Sequence, residues 1–173
     1  MTRHPVDVNK LYAGPFKIFE DWLLLTGGDF ASGRFNPMTV SWGSMGVIWG
    51  KPFVQVVVRP QRHTFGFMEQ YDTFTVCAFP GKFKEALGVL GSKSGRDVDK
   101  VKLTGIRPEA STVAGAPSYR EACLVIECRK MYWQDLDPKH FLADFIAPQY
   151  KNDYHRAYFG EVLAVCGSSE YTR

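Results

Sequence analysis

No helix-like stretch in this sequence is long enough to cover one face of a sheet, and that restricts the folds open to it. Apolar runs rich in β-branched and aromatic residues recur at Trp22 to Thr26, Met38 to Ile48, Phe53 to Val58, Phe74 to Phe79, Ala122 to Trp133 and Tyr158 to Val165. Gly, Pro, Asn or Asp separates most of them. The helical patterns between, Phe65 to Gln70 with Thr64 as its N-cap and Phe83 to Leu90, are about two turns each. A parallel sheet needs strands that alternate with longer helices, and that rhythm is missing. With a further short strand in the arm from Val6 to Phe19, broken at Gly14-Pro15, about seven strands predict a mainly β chain. The expected architecture is an antiparallel barrel with a few short peripheral helices.

The connections follow from the same residues. Gly27-Gly28-Asp29 predicts a turn, and Trp49-Gly50-Lys51-Pro52 a hairpin connection. The polar stretch from Ser92 to Lys102 predicts a surface loop or short helix. The segment from Gly105 to Pro117 reads as a loop with a possible strand at its start, and Asp135 to Pro148 holds a helical turn.

At 173 residues the chain suits one domain, expected over 1–173. The 21 Lys and Arg exceed the 18 Asp and Glu by only 3, and no basic run is long enough to track a nucleic acid. Basic residues gather locally instead, at Arg59 to His63, Lys82 to Lys84 and Lys93 to Lys102, which suits a phosphate-bearing ligand. Cys77, Cys123, Cys128 and Cys166 lack CxxC spacing and read as buried thiols of a reducing compartment. The first ten residues do not resemble a signal peptide, and no run approaches 18 apolar residues. A cytoplasmic protein away from membranes is the expectation.

The segment Asn36 to Gly46, NPMTVSWGSMG, interleaves hydroxyls with apolar residues. If it is one strand, Val40 and Trp42 share the core face while Thr39 and Ser41 point at something polar, or simply at water. Downstream, Arg59, Arg62, His63 and Thr64 lie before and at a helix start, where free backbone amides and two guanidiniums favour an anion. The same residues also suit an exposed basic turn. Ser94-Gly95-Arg96-Asp97, with Lys100, forms a compact polar loop in which Gly95 permits close backbone approach. No His, Asp and Glu cluster suggests a metal, and no G-x-S-x-G elbow suggests a hydrolase.

Four segments in order, NPMTVSWG at 36–43, RPQRHT at 59–64, SGRDVDK at 94–100 and HRAYFGEV at 155–162, resemble the flavin reductase-like family with the flavoredoxin type of FMN-binding split barrel. The resemblance implies a split β-barrel, an FMN cofactor and a homodimer. It implies that Asn36, Met38, Thr39, Val40 and Ser41 line the flavin ring and ribityl chain. Arg59, Arg62, His63 and Thr64 would surround the phosphate, and Ser94, Gly95 and Lys100 would close over the cofactor. Two departures matter. Leu90 stands where some members carry Cys, and Asn152-Asp153-Tyr154-His155 stands where the reductase branch has the Gly-Asp-His associated with NADH or NADPH. The implied activity is an oxidoreductase passing electrons between a reduced donor and an acceptor, its redox partner unnamed by the sequence, with His155 the one catalytic candidate. Two alternatives stay open: an NAD(P)H:flavin reductase for which FMN is a dissociable substrate, and a non-catalytic cofactor-binding barrel.

Overall fold

The computed structural model describes residues 2–172, so the outermost residue at each end of the expected 1–173 domain lies outside the described residues. In chain order the elements are β1 (His4–Pro5), α1 (Pro15–Glu20), β2 (Leu23–Asp29), β3 (Arg34–Val40), β4 (Gly43–Ile48) and β5 (Lys51–Val58). Then come α2 (His63–Gln70), β6 (Thr73–Ala78), α3 (Lys84–Ser92), α4 (Lys100–Thr104), β7 (Pro108–Glu109), β8 (Ser118–Tyr119), β9 (Leu124–Asp135) and β10 (Arg156–Gly167). The antiparallel sheet runs β3-β2-β6-β9-β10-β5-β4, with β1 added on β10 and a separate β7-β8 pair.

The two edges of that sheet, β3 and β4, are consecutive in the chain and joined only by Ser41 and Trp42. Seven strands laid flat would place their edges about 29 Å apart, six spacings of about 4.8 Å. The three Cα steps from Val40 to Gly43 span about 11 Å at most. The sheet therefore has to curl until its edges meet, yet β3 and β4 do not pair with each other. The result is a barrel left open along one seam.

Alternation along β2 shows how the layers pack. Leu23 and Leu25 enter the barrel interior with Val40, Val56, Phe74, Val76 and Ile126. Leu24 faces outward, where Leu87 and Leu90 of α3 cover it together with Cys77 and Tyr119. Both faces are buried, which is why the strand reads as an unbroken apolar run. All four cysteines are free, three of them buried and Cys166 partly so. Among the described residues no helix is long and apolar enough to cross a membrane.

The mainly β, antiparallel architecture agrees with the sequence reading, but several local expectations do not. Met38 to Ile48 is two strands, because Val40 closes the pairing with Leu23 while Gly43 opens one with Val56. Trp42 falls in the break and stays 47% exposed, so it does not share the core face of Val40. Gly27 and Gly28 continue β2, where they pair with Asn36 and Phe35. The hairpin after β4 is tighter than expected: only Trp49 and Gly50 lie between the strands, both with positive φ, as a two-residue turn with the natural twist requires. The arm contains α1 rather than extended chain. Helix α2 starts one residue before Thr64, with Arg62 at the N-cap position and no side-chain cap. Lys84 lies over the Trp22 ring and donates to the Asp21 carbonyl, and Lys82 lies over the Phe83 ring.

Candidate functional site

The seam opens into a cleft of about 280 Å³ lined by Met38, Thr39, Val40, Ser41, Trp42, Val57, Arg59, Arg62 and His155. Each arrives for a topological reason. Residues 38–42 are the end of one sheet edge and the link to the other. Val57 lies near the end of β5 and Arg59 just after it, and His155 precedes β10, which pairs with β5 from Arg156 opposite Val58. Met38 and Val40 are buried, Thr39 is partly buried and Ser41 is exposed. The Thr39 hydroxyl is spent on the Leu87 carbonyl at 2.6 Å, fixing β3 against α3, so Ser41 supplies the free hydroxyl of the segment.

A second cavity of about 600 Å³ lies along the first half of β3, lined among others by Phe35, Asn36, Gly95, Val98, Lys100 and Ile106. Asn36 is buried and donates its amide to Thr64 Oγ1 at 2.7 Å and to the Pro37 carbonyl at 3.2 Å. The buried Thr64 thus holds β3 to α2 instead of capping its own helix. A Cβ on Gly95 would collide with Asn36 Oδ1 and press on the His63 ring, so the 94–97 loop can sit this close only with glycine. The Ser94 hydroxyl accepts from the Arg96 amide and lines neither cavity. The expected site residues therefore divide into two groups on either side of the Asn36 to Thr64 bond.

Cations converge between the groups. Arg62 is partly buried and donates to the Gly91 carbonyl, while Lys100 is 3% exposed and donates to the carbonyls of Leu90 at 3.0 Å and Lys93 at 3.4 Å. Both address the C-terminal end of α3, where unpaired carbonyls and the helix dipole favour positive charge. Neither has a carboxylate partner within 4 Å among the described residues, unlike Arg59, whose Nη1 meets Asp153 Oδ2 at 2.9 Å. Burial, with Arg62 as the nearby like charge, lowers Lys100 to about 8. Burial, then Arg59, lowers Arg62 as well. His63 is lowered by burial and then by Arg96 and Lys100.

At the other end of the cleft, the His155 ring lies 5.2 Å from Trp42, and its Nδ1 is 2.9 Å from the Tyr150 hydroxyl. Burial, with Arg59 adding to it, lowers His155 to about 4, so the imidazole is neutral at ordinary pH. Trp42, Tyr150 and Asp153 are the residues the sequence reading did not single out as site-forming. The signal for Tyr150 is an aromatic spacing, Phe141, Phe145, Tyr150 and Tyr154, just ahead of His155. Among the described residues no group of three His, Cys, Asp or Glu side chains is placed to hold a metal ion.

A statistical model of the family described as "Flavin reductase like domain" matches residues 22–170. A protein of Escherichia coli (strain K12) described as uncharacterized protein YddH is 36% identical over 109 residues, a match covering 62% of this chain and 57% of that protein. The chain thus spans less than two thirds of that relative's length. Among solved structures, an FMN-binding domain of a flavin reductases-like enzyme from Shewanella baltica OS155 superposes with a TM-score of 0.71 at 17% identity, over 98% of this chain and 78% of that one. Flavoredoxin of Desulfovibrio vulgaris (Miyazaki F) does so with a TM-score of 0.68 at 19% identity, over 93% and 74%. At these identities the structural likeness bears on fold, and the shared fold is the open barrel described above.

Proposed function

The chain belongs to the flavin reductase-like family, and from that premise we propose that it binds FMN along the seam and works as an oxidoreductase between a reduced donor and an acceptor. The observation that carries the reading is the pair Arg62 and Lys100: two inward cations that meet only carbonyl oxygens. A buried cation without an anion is costly, and a phosphate group removes that cost. Arg62 keeps further N–H donors beyond the one given to Gly91.

The remaining residues suit the other end of such a ligand. The 38–42 segment offers an apolar floor from Met38 and Val40, a free Ser41 hydroxyl, and an exposed Trp42 ring at the mouth. Bound FMN would supply the electron-carrying ring. The chain's part is to hold the phosphate with Arg62, Lys100 and, on leaving Asp153, Arg59, and to keep Asn36 and Gly95 packed so that the loop closes beside it. His155 brings an uncharged imidazole to the cleft. A homodimer also fits: Trp49 packs edge-on to Tyr132 at 5.8 Å, yet both rings stay exposed.

The test is to purify the chain without added cofactor, record its visible spectrum, and measure FMN per chain. A flavin spectrum near one FMN per chain, lost in Arg62→Ala with Arg59→Ala, is the expected result. A colourless protein that does not take up added FMN overturns the reading. Steady-state oxidation of NADH or NADPH with free FMN distinguishes a reductase that releases its flavin from a protein that retains it. Light scattering near twice 19.6 kDa would support the dimer.

A further inference from the structure

The His155 ring has one protein hydrogen bond among the described residues, at Nδ1 to Tyr150. Its Nε2 has no protein partner, and among the described residues no buried side-chain nitrogen or oxygen lacks one. Nε2 is therefore open to the cleft that His155 lines. Which ring nitrogen carries the proton of the neutral imidazole is decided by the bond at the other. A phenol hydroxyl is the stronger acid of the two partners and an imidazole nitrogen the stronger acceptor, so the hydroxyl donates and the proton sits on Nε2.

The Tyr150 ring is itself held on several sides. Phe141 stacks on it at 5.8 Å, Tyr154 packs at 5.2 Å, and the Arg59 guanidinium carbon lies 5.1 Å over its face. Arg59 is in turn fixed by Asp153 and by the Gln149 carbonyl at 2.8 Å. Trp42 bears on the imidazole from the cleft side. A tyrosine so constrained, joined to a histidine five residues on, can fix the direction in which that histidine donates.

We propose that Tyr150 is a positioning residue that locks His155 with its proton on Nε2, so that the cleft presents a neutral hydrogen-bond donor to a carbonyl-type oxygen of the bound molecule. The donor is uncharged, so it favours a ring carbonyl or amide oxygen over a carboxylate, which the nearby Arg59 would serve better. The inference rests on the FMN reading for what occupies the cleft, but the tautomer does not depend on it.

The test uses the full chain labelled with ¹⁵N in its histidine rings, with the His155 signals assigned through His155→Gln. The expected result is a neutral ring protonated at Nε2, with the Nδ1 resonance displaced by an accepted hydrogen bond. In Tyr150→Phe that resonance moves towards a free nitrogen and an Nδ1-protonated fraction appears, while the backbone spectrum shows the fold retained. A wild-type ring protonated on Nδ1 overturns the proposal, as does an Nδ1 resonance that Tyr150→Phe leaves in place. The wild-type tautomer decides the matter even if the variant fails to fold. FMN is then added to the same samples. Binding with a shift at Nε2, about fivefold weaker in Tyr150→Phe, supports the donor role. Binding with Nε2 unmoved overturns that role, whereas no flavin binding removes the FMN reading and leaves the tautomer result standing.

Discussion

Arg59 Nη1 and Asp153 Oδ2 meet at 2.9 Å across 94 positions of sequence, and the bond ties the end of β5 to the segment that delivers His155. Asp153 also accepts from Gln61 at 2.6 Å and from the Lys151 amide at 2.9 Å, and the Lys151 bond, with Arg59, holds its carboxyl below the usual range. The carboxylate therefore competes with any phosphate for Arg59. Asp153→Asn keeps the acceptor oxygen and removes the charge. FMN affinity in the variant is expected to rise about two- to fivefold at low salt, read by flavin fluorescence quenching, with the gain shrinking as salt screens the pair.

Lys100 gives the site a pH dependence. Its folded value of about 8 lies below the unfolded 10.5, so its share of stability is fully present above 10.5 and lost as pH falls through 8. A phosphate reverses the balance by favouring the charged form. FMN affinity is expected to fall by up to about fivefold from pH 8 to 9 in the wild type, and Lys100→Met should show a flat profile over the same interval. Titrations at fixed ionic strength measure both.

His155 acts on stability at the acid end. Its value of about 4 is depressed from 6.5 by burial and Arg59, so the unfolded chain takes up the proton first. The stabilisation is complete above pH 6.5 and is lost as pH falls through 4, a change of about 3 kcal/mol at most. Urea unfolding at pH 7 and at pH 4.5 should show a smaller loss in His155→Gln than in the wild type.

Gly95→Ala is expected to separate binding from folding. The added methyl meets Asn36 Oδ1 and the His63 ring, so the 94–97 loop must move outward. Because that loop carries few buried groups, the melting temperature should drop by only a few degrees, about 1 kcal/mol. FMN binding should weaken about tenfold or more. Unchanged binding in the variant would show that the loop does not close over the ligand.

Much of this was legible in the chain because the governing patterns are local. The β-branched run at Phe53 to Val58 and the apolar half of β9 announce themselves by composition, and the basic residues at 59–64 lie within a few positions of one another. What sequence hides is pairing between distant residues. Nothing near Thr64 says that its hydroxyl will be taken by Asn36 rather than by its own helix. Trp42 looks like a core residue until the break between Val40 and Gly43 turns it outward, and that break exists because the two strands pair with different neighbours. Glu127 is the extreme case. It lies in an apolar strand and is 2% exposed, yet its carboxylate accepts the amides of Thr112, Val113 and Ala114 and so folds a loop that sequence leaves shapeless.

The two-residue link between β3 and β4 makes the molecule's opening a matter of counting. Side-chain substitutions can repaint the cleft, but its gape is ruled by how many peptide units separate Val40 from Gly43. Lengthening that tether by even one residue would let the barrel's lips part by up to about 3.5 Å and loosen its grip without touching a contact residue.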